Sequence, residues 1–257
     1  TWSNNSIILK LFAGFGQFVI FCFHCLQRPF RYKIRYKLVL QQIEFVGVKS
    51  VLIIIMASVV VGAVFAIQFG KVFSWFGVES LIGSAASFAI TKELAPVIGS
   101  FLIAGRVGSA FTAELASMKV SDQIHTVTMS AVDPINYLVV PRVIASMITT
   151  PMLAAIFMLT GVLSSYFFGL LLFEIDPGIF IAKISWITKP KFIFQGLLKA
   201  FIFGGIFSII ACYKGFYAHG GAKGVGRATT SAVVWSLVVI LVSDFFISYL
   251  QRDVFLN

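Results

Sequence analysis

The chain has 257 residues, of which 59% are hydrophobic and only 12% are charged. A soluble domain has roughly a quarter of its residues charged, so this composition excludes a soluble globular protein and indicates one that is solvated by lipid. The formal charge of +10 does not indicate nucleic-acid binding. The basic residues lie beside apolar segments, where they set orientation and attract anionic headgroups.

The N-terminal segment, residues 1–42, is first apolar and then basic. Its apolar part, residues 11–27, is shorter than the roughly 20 residues that cross a bilayer core. We predict an interfacial helix followed by a basic segment on the headgroups, with a short crossing helix as the alternative. The basic residues of this segment, which has no acid before residue 43, are Lys10, Arg28, Arg31, Lys33, Arg35 and Lys37.

Residues 43–257 contain five segments that offer about 20 mostly apolar residues each, enough to cross a bilayer as a helix. We therefore predict an all-α integral membrane protein with five transmembrane helices. Positive charge in the short flanks places the N-terminus in the cytoplasm, or its organellar equivalent, and the C-terminus outside. The predicted spans are residues 50–70, 80–105, 143–173, 192–213 and 228–250.

The longest polar stretch, residues 106–142, lies between the second and third spans. Its middle, residues 114–131, has few helix breakers and mixes apolar with polar side chains, so we predict a helix there that ends before Pro134. A cytoplasmic helix lying along the membrane is a suitable contact for a soluble partner. An ordinary amphipathic connector is the alternative interpretation.

Few ionisable residues fall inside the predicted spans. Lys92 and Glu93 lie near the middle of the second span, where a charge costs about 3 kcal/mol or more and normally faces a cavity or a partner. Adjacent residues point about 100° apart on a helix, so the two cannot face one direction. Lys199 either answers Glu93 in a structural ion pair or extends to the interface. Asp244 is interpreted as a helix-end charge without a function.

The glycine-rich run at residues 220–226 does not match a phosphate-binding loop. Such a loop has Ser or Thr after the lysine and lies between a strand and a helix, whereas Lys223 precedes a glycine and lies between apolar spans. The run therefore predicts a turn before a helix whose N-cap is Thr229 or Thr230.

No arrangement of residues indicates catalysis or metal binding. Cys22 and Cys25 enclose His24, but the second pair of ligands that a zinc site needs is absent from the sequence. His125 and His219 are not set in a recognisable arrangement with a nucleophile. We therefore predict no catalytic residue and no metal site.

Four motifs occur in order: KELAPV from Lys92, AGRVGSA from Ala104, AVDP from Ala131 and GRATT from Gly226. Together they resemble the signature of the MlaE family of permeases, which includes the chloroplast trigalactosyldiacylglycerol permease and its plastid and cyanobacterial relatives. The resemblance covers nearly the whole chain from about residue 43. Many relatives have arginine at the position where this chain has Lys92, and the lysine keeps the charge but lacks the bidentate fork of arginine.

The resemblance implies the permease subunit of an ABC-type transporter that moves phospholipid or glycerolipid between membranes. It implies a homodimer, a cytoplasmic or stromal ABC ATPase that binds the ATP, and an Mce-domain substrate-binding protein. This chain would hold no cofactor and would lie in a bacterial inner membrane or a plastid (chloroplast) inner envelope. The implied lipid-binding residues are Glu93, Lys92, Lys199 and Gln68. The implied ATPase-coupling residues, in the helix at 114–131, are Glu114, Met118, Lys119, Asp122 and Gln123.

Two other classes of function stay open on the residues alone. An ion-coupled secondary transporter would use Glu93 as a proton site and need no ATPase, and the lack of an inverted repeat in the sequence argues against it. A membrane-embedded enzyme would use Glu93 as a base. Copurification of an ATP-binding subunit favours the ABC transporter, whereas turnover by the purified chain alone favours the enzyme.

Overall fold

The computed structural model describes residues 14, 16–28, 35–173 and 175–253, without the side chains of residues 186, 187, 252 and 253. No strand occurs within these ranges. Five helical segments are long and apolar enough to cross a membrane, which confirms the predicted all-α membrane fold with five spans. These segments are Tyr36–Ser74, Glu79–Val120, Ile135–Phe173, Pro190–Phe216 and Gly221–Gln251.

The helices are numbered in chain order, beginning with α1 at residues 16–28. Tight 3₁₀ turns and wide π turns interrupt the first three spanning segments without ending them. The 3₁₀ turns are Val48–Ser50 and Glu79–Leu81, and the π turns are Ile90–Leu94, Ala104–Gly108 and Ile135–Val139. The α-helices are α2 (Tyr36–Val46), α3 (Val51–Ser74), α4 (Ile82–Ala89), α5 (Ala95–Ile103), α6 (Ser109–Val120), α7 (Gln123–Met129), α8 (Val140–Phe173), α9 (Pro177–Ile187), α10 (Pro190–Phe216) and α11 (Gly221–Asp253).

The spanning segments are longer than a bilayer requires. Ile135–Phe173 has 39 residues, which is about 58 Å of helix at 1.5 Å per residue, against a hydrocarbon core of about 30 Å. Such a helix must tilt or continue beyond the bilayer. The additional residues extend the bundle at both ends, and we name these ends by the short helix that each carries: the α7 end and the α9 end.

Small residues let the spanning helices approach one another closely. A Cβ atom on Gly204 of α10 would lie 2.6 Å from the carbonyl oxygen of Ser146 on α8. A Cβ atom on Gly62 of α3 would overlap the backbone of Gly161 on α8. Lipid tails are as apolar as the helices, so close van der Waals packing of this kind, rather than the hydrophobic effect, holds helices together in a bilayer.

The helix α1 packs against the α7 end of the bundle. The ring of Phe21 lies 5.5 Å from that of Tyr213 on α10, and Arg28 forms an ion pair of 2.8 Å with Asp133. At about 20 Å, α1 is shorter than the bilayer core. Its interfacial placement stays a prediction, and residues 1–13, 15 and 29–34 of the predicted segment, including Lys10, Arg31 and Lys33, lie outside the described residues. Residue 42, the predicted end of that segment, lies inside α2.

The prediction of one helix at residues 114–131 is wrong. The helix α6 ends at Val120 and α7 begins at Gln123. Asp122 between them has a φ of 55°, in the left-handed region that aspartate visits more readily than most residues because its short polar side chain bonds locally. Without glycine or proline at this point, the sequence gives only a weak signal for the turn.

The glycine run makes the predicted turn, but the predicted cap is wrong. Gly220 and Gly221 have φ angles of 94° and 63°, which glycine adopts at little cost, and α11 begins at Gly221. Thr229 and Thr230 lie two turns inside α11, where their hydroxyls donate to carbonyl oxygens of their own helix.

The helix α9 lies between the predicted spans at residues 143–173 and 192–213, where no helix is predicted from the sequence. Asp176 caps it by accepting a hydrogen bond of 3.0 Å from the backbone N–H of Ile179, and Pro177 occupies the first helical position. The ring of Phe180 is fully buried against Gly83 of α4 and Gly169 of α8, where a Cβ atom would lie within 2.8 Å of it. Phe180 therefore anchors α9 to the bundle.

We expect Phe180→Ala to release α9 from the bundle, because it empties the space between two glycines that cannot close around alanine. Core Phe→Ala changes typically cost about 3–5 kcal/mol. Hydrogen exchange of the protein in nanodiscs should accelerate in α9 and remain unchanged in α8. Ile181→Ala, at a neighbouring side chain that is 57% exposed, is the control and should leave exchange in α9 unchanged. Equal exchange in the two variants would contradict the anchoring role.

Candidate functional site

The side chain of Lys199 on α10 is fully buried, with 0% of its surface exposed. Its ammonium nitrogen lies 2.5 Å from Glu93 Oε2 and donates a hydrogen bond of 2.7 Å to Ser248 Oγ on α11. A buried ammonium is costly unless it is both paired and hydrogen-bonded, and here it is both. Of the two alternatives for Lys199, extension to the interface is therefore wrong, and the ion pair with Glu93 is the one that forms.

Asp244 of α11 completes this group, which we call the Lys199 cluster: Glu93, Lys199, Asp244 and Ser248. Asp244 Oδ1 lies 2.9 Å from the ammonium of Lys199, but the approach lies outside hydrogen-bond geometry, so the contact is an ion pair. The interpretation of Asp244 as a helix-end charge is wrong. Two carboxylates around one ammonium leave the cluster with a net negative charge when all three groups are ionised.

Glu93 is the most accessible charged member of the Lys199 cluster. Its side chain, on the π turn Ile90–Leu94, is 39% exposed, against 20% for Asp244. Lys92 points elsewhere, and its ammonium lies 5.3 Å from the centre of the Phe88 ring, within the range of a cation–π contact. The two adjacent charges therefore diverge, as the helical geometry predicts.

Gln68 is not brought to the Lys199 cluster within one chain. It lies on an exposed face of α3, and α3 packs chiefly on α8 and α4, whereas the cluster is built from the π turn, α10 and α11. The sequence-implied set of four lipid-binding residues thus separates into a pair at the cluster, Lys92 beside it, and Gln68 apart.

The implied coupling residues lie at the α7 end. Asp122 and Gln123 are exposed in the turn between α6 and α7, while Met118 and Lys119 are half-buried at the end of α6. Glu114 forms an ion pair of 2.9 Å with Arg142 of α8, and its own side chain is 56% exposed. The exposed turn is available to a partner, and the ion pair joins α6, which leads into this turn, to the spanning helix α8.

Sequence reasoning missed Asp244 and Ser248 as members of the site. A usable signal was present: Lys199 is a lone cation inside its span, and Asp244 is the only acid inside the next span. Intramembrane charges almost always pair with one another or with backbone. Counting positions from the end of each span placed Asp244 near an interface, but that count does not tell which helix lies beside it.

Comparison with known proteins identifies the family to which this chain belongs. The family model described as Permease MlaE matches residues 39–250. The chain belongs to the MlaE permease family.

Several relatives of this MlaE permease are similar over most of its length. A probable ABC transporter permease protein of Rickettsia felis is 39% identical over 242 residues, 94% of this chain and 93% of the relative. A probable ABC transporter permease protein of Synechocystis is 42% identical over 82% of this chain and 81% of the relative. Protein TRIGALACTOSYLDIACYLGLYCEROL 1, chloroplastic, of Arabidopsis thaliana is 42% identical over 84% of this chain and 62% of the relative.

The family makes this chain a multi-pass membrane protein and a transport subunit. It favours the permease over the secondary transporter and the membrane-embedded enzyme, which the residues alone had left open. The relatives come from bacteria and from a chloroplast, the two settings predicted for this MlaE permease. Within the described ranges, no group of three or more His, Cys, Asp and Glu residues is placed to hold a metal ion.

We expect Lys199→Met to destabilise the protein by about 3–5 kcal/mol, because removing one partner of a buried pair leaves uncompensated charge. The double variant Lys199→Met with Asp244→Asn should recover part of this loss, since fewer carboxylates then remain unpaired. Unfolding in mixed micelles measures both free energies, with Lys71→Met at the exposed end of α3 as the control. A double variant less stable than Lys199→Met alone would contradict the pairing.

Proposed function

We propose that this chain is the permease subunit of an ATP-driven transporter that moves phospholipid or a related glycerolipid between membranes. The observation that carries the proposal is the Lys199 cluster, in which one carboxylate is left accessible inside the spanning part of an MlaE permease. Intramembrane ionisable groups of this kind normally mark a substrate path. The name of the chloroplast relative, which refers to a glycolipid, supports a lipid as the substrate.

The proposed transport chamber lies between two copies of this chain. The helix α11 is the least buried of the five spans, and it exposes Trp235, Leu241 and Phe245 to more than half of their surfaces. A second copy placed against this side would enclose the accessible carboxylate of Glu93. Lipid tails would occupy the apolar walls, while the headgroup meets Glu93 and Lys92. Gln68 would line the chamber from the first span.

A cytoplasmic or stromal ABC ATPase would bind ATP and supply the energy. The ATPase would contact the α6–α7 turn, with Met118, Lys119, Asp122 and Gln123. Glu114 would transmit the movement of this turn to α8 through its ion pair with Arg142. Closure of the ATPase dimer would move this turn and compress the chamber. An Mce-domain protein at the α9 end would exchange lipid with the chamber.

We expect Glu93→Ala to reduce ATP-dependent lipid transfer between reconstituted vesicles by about tenfold or more, as for an interaction that acts during the transfer step. The protein should still fold, because Asp244 and Ser248 remain as partners of Lys199. Glu93→Gln should behave similarly, since the charge rather than the size is lost. Glu79→Ala, at the start of the same spanning segment, is the control. Full transfer by both Glu93 variants would count heavily against the proposal.

We expect Lys119→Glu to weaken binding of the ATPase by about tenfold, because a reversed charge at a complementary interface costs more than a lost contact. Binding of the purified ATPase to the permease in nanodiscs measures the affinity. Lys49→Glu makes the same charge reversal in the 3₁₀ turn between α2 and α3, outside the proposed contact, and should leave the affinity unchanged. Equal affinities for both variants and the unchanged protein would remove the α6–α7 turn from the interface.

A further inference from the structure

An ion pair joins the end of α1 to the connection between α7 and the third span. Arg28 Nη1 donates a hydrogen bond of 2.8 Å to Asp133 Oδ1, and the two side chains are only 20% and 28% exposed. The same carboxylate oxygen accepts a hydrogen bond of 3.1 Å from the backbone N–H of Ile135, where the third spanning segment begins. One oxygen of the AVDP motif therefore contacts both α1 and the third span.

The turn between α7 and Asp133 has a backbone conformation that its sequence does not favour. The N–H of Ala131 donates to the carbonyl oxygen of Thr128. The N–H of Val132 donates to the carbonyl oxygen of Val127, and the two bonds together form a Schellman motif. The left-handed residue of this motif is usually glycine, but here it is Ala131, with a φ of 55°. Because its Cβ atom is crowded in that region, the turn depends on neighbouring contacts to hold it.

The helix α1 is attached to α10 by contacts that do not involve Arg28. The side chain of Phe21 is 1% exposed, and its ring lies 5.5 Å from that of Tyr213 and 6.2 Å from that of Phe216, both on α10. The helix α10 also carries Lys199 of the Lys199 cluster. A firmly packed α1 therefore joins the end of α7 to the helix that holds the buried ammonium.

We propose that Arg28 is a positioning residue for coupling to the ATPase, because its ion pair with Asp133 fixes the end of α7 and joins it to α10 through α1. This inference rests on the proposed function, in which the ATPase contacts the other end of α7. Contacts that are continuous between two sites can carry such coupling. The ion pair of Glu114 with Arg142 leads to α8, so a movement of α7 reaches α8 and α10 together only while both ion pairs are formed.

Hydrogen exchange tests the positioning of α7 without the ATPase, on the full-length protein in nanodiscs. In Arg28→Gln, amides at residues 127–133 should exchange about fivefold faster, because the Schellman motif loses a contact that holds it. Exchange in α10 should remain unchanged, since Phe21 still packs there. Arg28→Lys should keep the slow exchange, because one nitrogen contacts one oxygen and no bidentate fork is lost. Lys37→Gln removes an exposed charge from α2 and should change neither region.

Transport by the complete assembly tests the coupling role. In reconstituted vesicles, Arg28→Gln should transfer about fivefold less lipid per ATP hydrolysed, whereas Arg28→Lys and Lys37→Gln should not. Asp133→Asn should behave like Arg28→Gln, because the amide oxygen can still accept from Ile135 but the charge is lost. The double variant Arg28→Gln with Asp133→Asn should be no worse than either single variant, as for two residues that act through one interaction.

Three results would overturn this inference: unchanged exchange at residues 127–133 in Arg28→Gln, additive losses in the double variant, or a loss in Arg28→Lys as large as that in Arg28→Gln. Normal lipid transfer per ATP in Arg28→Gln, together with lost transfer in Glu93→Ala, would also overturn it and leave the proposed function standing. Absence of ATP-dependent transfer by the unchanged assembly would instead overturn the proposed function, and the coupling role of Arg28 with it.

Discussion

A lysine ammonium inside a bundle that is surrounded by lipid must obtain its counter-charges from neighbouring helices, and Lys199 obtains them from two. Glu93 reaches it from the second span and Asp244 from the fifth. Because the desolvation of the lysine is costly, α10 can hold this charge only where the second span and α11 are both in place beside it. Breaking a buried pair costs more than forming it gains, so the cluster restricts where α11 can lie against α10.

Several hydroxyl residues of the spans find a hydrogen-bond partner on their own helix. In a bilayer core no water is available, so each hydroxyl and each backbone group must find a partner inside the protein. The hydroxyls of Thr149, Thr150 and Ser208 donate to carbonyl oxygens one turn earlier on their own helices. The hydroxyl of Thr112 also donates a hydrogen bond of 3.0 Å to the carbonyl oxygen of Ala211, and so joins α6 to α10. These four hydroxyl residues thus allow close contact between helices while keeping their own hydrogen bonds.

The sequence predicts features that depend on the average composition of long segments, and it misses features that depend on single contacts. Five spans follow from runs of about 20 apolar residues, whereas the pairing of Lys199 with Glu93 is only one of two alternatives that the cost of isolated charge leaves open. The break at Asp122 depends on one residue in the left-handed region, and α9 depends on Phe180 meeting two glycines of other helices. Asp244 could be seen as a charge within a span, but its partner is determined by which helices lie side by side.

Two of the π turns determine the directions in which charged side chains of the second span point. A π turn adds one residue to a helical turn, which shifts every later side chain by about 100° relative to a regular helix. Ile90–Leu94 carries Lys92 and Glu93, and Ala104–Gly108 carries Arg106, which donates a hydrogen bond of 2.6 Å to Ser50. In a regular helix along this span, the side chains of Glu93 and Arg106 would point in other directions, and Glu93 would lose its approach to α10. The chain thus retains a costlier backbone at the two points where its second span presents charge to neighbouring helices, as is common for π turns at functional sites.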